Sequence, residues 1–194
     1  MKPFGSIVLA LAVATLGCTS SAKAPAPPAG QPAAPAVAPV SMDSMISVNG
    51  CLMTPAGGLV LLSSPLPDRA LVQTPAKFRP PFSVRLRAAT DSTNLRVYYN
   101  AGMVILNWEV RQDEFRAHDP LTSQPYAVRG KGWIKPGELH TIVWEVRPDG
   151  MSLSVDGETR FSAPGDYANI NAPIGIGPAF GSVVSVESFE VTTP

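Results

Sequence analysis

From Met42 onward, apolar and polar residues alternate in short runs, and no window sustains the 3.6-residue repeat of an amphipathic helix. Gly, Pro, Asn and Asp break the runs about every ten residues, the spacing of strands joined by tight turns. The pattern predicts strands at Ser47–Thr54, Leu59–Leu62, Ala70–Gln73, Phe82–Ala89, Asn94–Asn100, Met103–Arg111, Glu114–His118, Tyr126–Gly130, His140–Arg147, Ser152–Val155, Glu158–Phe161, Pro173–Ile176 and Val183–Thr192. So dense a series of short strands predicts an all-β sandwich of two antiparallel sheets. Gly accepts positive φ and Asp favours tight reversal, so Asp149-Gly150 and Asp156-Gly157 predict a three-stranded meander over 141–161.

Alternation also sorts the faces, because successive strand side chains point to opposite sides. Val104, Leu106, Trp108 and Val110 read as one core-facing set, with Ile105, Asn107 and Glu109 opposite them. Leu95, Val97 and Tyr99 oppose Arg96 and Tyr98. Phe115 and Ala117 oppose Arg116 and His118, and Ile142, Trp144 and Val146 oppose Glu145. Placed side by side, these strands predict one polar sheet face carrying Arg96, Tyr98, Asn107, Glu109, Arg116, His118 and Glu145. Its mixture of charges, amides and aromatics suits hydroxyl-rich ligands, and suits water equally.

Charge narrows the classes of partner. Fifteen Lys and Arg balance fifteen Asp and Glu, with no basic stretch, which argues against nucleic acid. Two cysteines and two histidines exclude a disulfide scaffold, a four-cysteine zinc module and a histidine-rich metal site. Asp91, Asn94, Asp119 and Asp156 are hard oxygen ligands at expected turns, where Asp and Asn also serve as turn formers. Calcium therefore stays open, but no metal and no cofactor is predicted. His118 and Asp119 are adjacent on a strand and point apart, and no Gly-x-Ser-x-Gly elbow occurs, so a Ser/His enzyme is not expected. No catalytic residue is assigned.

Ahead of the domain, residues 1–17 carry an early positive charge at Lys2, an uncharged run from Ile7 to Leu16 and then small residues, the layout of an export signal. Ala14-Thr15-Leu16-Gly17-Cys18 resembles the bacterial lipobox; Gly17 fits it, while Thr15 stands where Leu is commonest. The resemblance implies cleavage before Cys18 and acylation of Cys18, giving a lipoprotein of the cell envelope. Its membrane partner is reached through two or three acyl chains, since one chain holds only marginally. Thr19 and Ser20, with no Asp, imply an outer membrane where the host has one. The alternative is an ordinary secretory signal. Residues 18–41 then form an Ala/Pro-rich linker, with Lys23 its only charge, too poor in apolar bulk to bury a core. Polyproline II geometry at about 3.1 Å per residue gives this disordered spacer a reach of about 60–70 Å. The domain is expected over 42–194, with Cys51 as a small buried apolar group or, if exposed, an intermolecular disulfide.

Phe82-Ser83-Val84, Asp91 through Tyr99, Ile105-Leu106-Asn107-Trp108-Glu109, Arg116 through Pro120, Val155-Asp156-Gly157-Glu158 and Ile174-Gly175-Ile176-Gly177 together resemble bacterial concanavalin A-like lectin/glucanase domains. The resemblance covers most of 45–194 and implies a jelly-roll β-sandwich and sugar recognition. Its family 16 glycosidases place two Glu and an Asp at alternating positions on one strand. Such paired carboxylates are what glycosidic hydrolysis requires. No such strand occurs here: Glu109, Asp113 and Glu114 straddle an expected turn, and Glu187 and Glu190 face opposite sides. The resemblance thus implies a non-catalytic, carbohydrate-binding domain. Arg96, Tyr98, Asn107, Glu109, Arg116 and His118 are its candidate ligand-binding residues, with Trp133 as an exposed stacking platform. Glu109 and Arg116 read equally well as a structural ion pair. Trp108 and Trp144 read as core. An envelope protein-interaction module is the alternative, and a glycoside hydrolase comes third.

Overall fold

The computed structural model describes residues 36–194. The export signal, Cys18 and most of the linker lie outside the described residues. The strands, in chain order, are β1 Ala36–Pro39, β2 Ile46–Val48, β3 Leu52–Ala56, β4 Leu59–Ser63, β5 Leu71–Gln73, β6 Phe82–Thr90, β7 Leu95–Tyr99 and β8 Gly102–Leu106. They continue with β9 Phe115–His118, β10 Pro125–Val128, β11 His140–Arg147, β12 Gly150–Val155, β13 Glu158–Pro164, β14 Ile174–Gly177 and β15 Val184–Thr193. An eight-stranded sheet runs β13-β12-β11-β6-β15-β4-β3, with β1 also on β15, and a seven-stranded sheet runs β10-β9-β8-β7-β14-β5-β2. All pairings are antiparallel, and the fold is a jelly-roll sandwich.

Between the sheets lies one apolar core. Val84, Leu86, Ile142, Trp144, Val146 and Phe189 come from the larger sheet; Leu95, Val97, Tyr99, Val104, Phe115 and Ile176 come from the smaller. Alternation delivers most of these side chains. In β15 a bulge between Val186 and Ser188 resets it, so that Val186 and Phe189 are both buried. The 141–161 meander forms as expected: Asp156 (φ 51°) and Gly157 (φ 82°) make a turn with two left-handed residues between β12 and β13. Cys51 is buried, and desolvation pushes its thiol up to about 11, so it is an inert apolar group.

Several sequence expectations are corrected. The run Ser47–Thr54 is two strands in different sheets, because Asn49 (φ 53°) and Gly50 (φ 72°) reverse the chain between β2 and β3. Strand β8 stops at Leu106: Asn107 adopts φ 51°, which ends the alternation and takes Trp108 and Val110 out of the core. Glu145 lies on β11, in the other sheet from Arg96 and Arg116, so it shares no face with them. Strand pairing also begins at Ala36, ahead of Met42, where β1 lies along Glu190–Thr193.

The two outer faces differ. The larger sheet exposes Arg85, Arg87, Glu145 and Arg147, and its charges pair across solvent, as Arg87 Nε does with Glu187 Oε2 at 2.7 Å. On the smaller sheet the outward Arg96 and Ile105 are only 4% and 3% exposed, because connecting segments fold over them.

Candidate functional site

Strand register builds the covered face in two rows. Tyr98 of β7 sits opposite Met103 of β8, which sits opposite His118 of β9; Arg96 sits opposite Ile105, which sits opposite Arg116. On the other side of β7, Gly175 and Gly177 of β14 face Tyr98 and Arg96. Glycine is required at Gly177, because a Cβ there would run into the backbone carbonyl of Ala70. The segment before β5 can thereby close over the sheet, and it brings Asp68 to Arg96.

Arg96 is fixed from every side. Its Nε and Nη2 donate to Asn94 Oδ1 at 3.1 and 2.9 Å, and its Nη1 donates to Asp68 Oδ1 at 2.5 Å. Glu109 Oε2 lies 3.5 Å from Nη2, and the exposed Phe180 ring lies over the guanidinium at 5.4 Å. So Glu109 pairs with Arg96, and Arg116 takes a different partner. The Arg116 guanidinium stacks 3.9 Å above the Trp108 ring, and its Nε lies 3.0 Å from Glu114 Oε1 as an ion pair without hydrogen-bond alignment. Glu114 is buried and also accepts from Arg111 Nη1 at 3.0 Å. Trp108, expected in the core, therefore belongs to this face and keeps part of its surface in solvent.

Asn107 does not. Its side chain is fully buried: Nδ2 donates to the carbonyls of Ile134 (2.8 Å) and Ser92 (3.2 Å), and Oδ1 accepts from Ile134 N (2.7 Å). It is a structural clamp with no free polar group, which corrects its assignment as a ligand contact. The clamp holds the segment bearing Trp133, which is 49% exposed beside it. Burial, with Arg116 and Arg96 adding like charge, pushes the His118 imidazole below its usual range; a backbone contact to Ser123 opposes this. His118 is thus neutral near pH 7.

Tyr98, at its Oη, carries a buried polar atom without a hydrogen-bond partner, as Arg116 does at Nε. Burial pushes its phenol up, and the Arg96 guanidinium, close by but out of hydrogen-bond alignment, opposes this. A protonated hydroxyl is left with an unused donor. Tyr98 lines two cavities of about 380 and 290 Å3, which share Leu71 and Asn100.

Asp68 and Glu109 are engaged by Arg96, and Glu114 by two arginines, so none of these three carboxylates stands unpaired. The turn acids are similarly occupied. Asp91 Oδ1 accepts from Val183 N, Asn94 holds Arg96, Asp156 holds Thr141 N and His140, and Asp119 caps a turn through Leu121 N and Thr122 N. Among the described residues no three His, Cys, Asp or Glu side chains cluster in a way that fits a metal ion.

No protein-family model matches the chain, and no curated protein matches it in sequence. Solved structures do match it. A Bacillus licheniformis β-glucanase superposes with a TM-score of 0.62 at 10% identity, over 84% of this chain and 100% of that one. A native glycosidic hydrolase gives 0.57 at 14% identity, over 82% and 95%. The carbohydrate-binding module CBM66 of Bacillus subtilis gives 0.53 at 10% identity, over 77% and 92%. At these identities the likeness establishes the fold, a jelly-roll β-sandwich, and fold alone does not determine activity.

Sequence reasoning missed Asp68, Arg69 and Phe180 as neighbours of this face and placed Trp108 in the core. The missing signal was backbone conformation. Only the Asn49-Gly50 pair and Asn100, two residues before Gly102, hinted at left-handed turns there.

Proposed function

We infer that this is a non-catalytic carbohydrate-binding protein, carried at the bacterial cell envelope on a lipid at Cys18 and spaced from the membrane by the Ala/Pro-rich linker. The observation that carries the reading is the covered face of the smaller sheet, where Tyr98 lines a groove, His118 stands one strand away across Met103, and Arg116 stacks on Trp108. A stacked Trp–Arg pair and hydroxyl, amide and imidazole groups are what a sugar ring uses: an apolar face for the aromatic, polar edges for hydrogen bonds. The glucanase and the carbohydrate-binding module with this fold support a carbohydrate ligand. Engagement of Glu109, Glu114 and Asp68 by arginines supports binding without hydrolysis. Trp133 adds a further exposed ring near Asn107.

Titration of the full-length protein against pooled neutral and acidic oligosaccharides tests the ligand. Heat that is lost in Arg116→Ala and Trp108→Ala is the expected result, and no heat with any pool from a folded protein contradicts it. For the anchor, Cys18→Ala should move the protein from the membrane fraction to the soluble one; unchanged partition contradicts acylation at Cys18.

A further inference from the structure

Resting on the carbohydrate reading, we propose that the groove between Tyr98 and Arg69 is an acidic-sugar subsite, in which Arg69 receives the carboxylate of a uronic acid residue. The two cavities at Tyr98 adjoin across the shared Leu71, Tyr98 and Asn100, and each is near the lower end of the size of a small-ligand site, roughly 300–1,000 Å3. Asn49, Asn100, Ser123 and Gln73 line the groove with polar side chains; Asn49 Nδ2 already donates to Arg69 O and Asn100 Nδ2 to Pro120 O, which leaves their amide oxygens as acceptors.

Charge selects the ligand class. Arg69 is the one charged residue lining either cavity, and no carboxylate lines them. Its side chain is 80% exposed, and its nearest acid, Asp68, spends Oδ1 on Arg96 at 2.5 Å while Oδ2 stays 3.9 Å from Arg69 Nε. The guanidinium fork is thus available, and its planar geometry matches a carboxylate.

Backbone conformation points to the same place. Eight non-glycine residues among those described have positive φ, and four of them, Asn49 (53°), Arg69 (61°), Asn100 (52°) and Ser123 (60°), line this groove. Asn adopts such a conformation readily, whereas Arg and Ser pay for it, and strain of this kind concentrates at binding sites. Tyr98 lines both cavities, while its Oη is buried without a hydrogen-bond partner.

The test is calorimetric titration of the full-length protein with oligomers containing galacturonate, mannuronate or glucuronate, each beside its carboxyl-reduced neutral counterpart. At least one uronate should bind about ten-fold more tightly than its reduced form, the effect of one charge-assisted contact. In Arg69→Gln this preference should vanish while affinity for the reduced form holds. Binding of neutral forms only, or a uronate preference that survives Arg69→Gln, overturns the subsite and leaves the carbohydrate reading standing. Absence of binding to every oligomer by a folded protein overturns both.

Discussion

The sandwich has two outer faces built from the same alternation, and they have come to different ends. On the larger sheet Arg85, Arg87, Glu145, Arg147 and Glu187 stand in solvent, and Arg87 pairs with Glu187 and Arg147 with Glu145 in ion pairs of little consequence. On the smaller sheet, segments around Asp68, Trp108 and Phe180 fold over the strands, so the same kinds of residue are buried. Once buried, a polar group needs a partner. Around Arg96 and Asn107 every need is met, which makes that end architecture. Around Tyr98 one buried hydroxyl stays unpaired beside a groove, and there the cover leaves room for a ligand.

Substitutions test this contrast. Asn107→Ala removes three hydrogen bonds, two of them buried, and strands the N–H of Ile134, so denaturant unfolding should show a loss of about 3 kcal/mol. A loss below about 1 kcal/mol would show the clamp to be dispensable. Next in size is Asp119, whose carboxylate burial pushes up but which hydrogen bonds from Tyr167, Thr122 and Leu121 hold below its usual range. A depressed folded-state value means that its contribution is present above the unfolded value of about 3.8 and fades as pH falls through the folded one. Tyr167→Phe should therefore cost about 1.5–3 kcal/mol at pH 7 and less below pH 3.8, read from unfolding midpoints across pH. Tyr98→Phe should reverse the sign, keeping or raising stability by up to about 1 kcal/mol, because it deletes an unsatisfied hydroxyl. A clear loss there would mean that the hydroxyl has a protein partner. Smallest of all, Arg87→Ala on the solvated face should change stability by about 0.5 kcal/mol or less and leave ligand binding untouched.

Much of the fold was legible because the strands obey period two: Leu95, Val97, Tyr99, Phe115, Ala117, Ile142, Trp144 and Val146 are all buried as alternation requires. The site was legible in part. Arg96, Tyr98, Arg116 and His118 do share a face, since each lies inside a regular strand. Trp108 and Asn107 were misplaced because a single left-handed residue at Asn107 breaks the period, and nothing in the composition of that run announces it. Asp68, Arg69 and Phe180 were unreadable for another reason. They reach the face through loops, and which strand a loop covers depends on sheet order, which a single sequence does not encode.

The most direct test of the central claim is a residue-resolved one: amide and indole NMR shifts of the full-length protein on addition of the oligosaccharide panel. Perturbations confined to Tyr98, Asn100, Trp108 and Arg116, with Arg85, Arg87 and Glu145 unmoved, are the expected result. Shifts centred on the solvated face of the larger sheet, or none at saturating sugar, would contradict the assignment of the covered face as the ligand site.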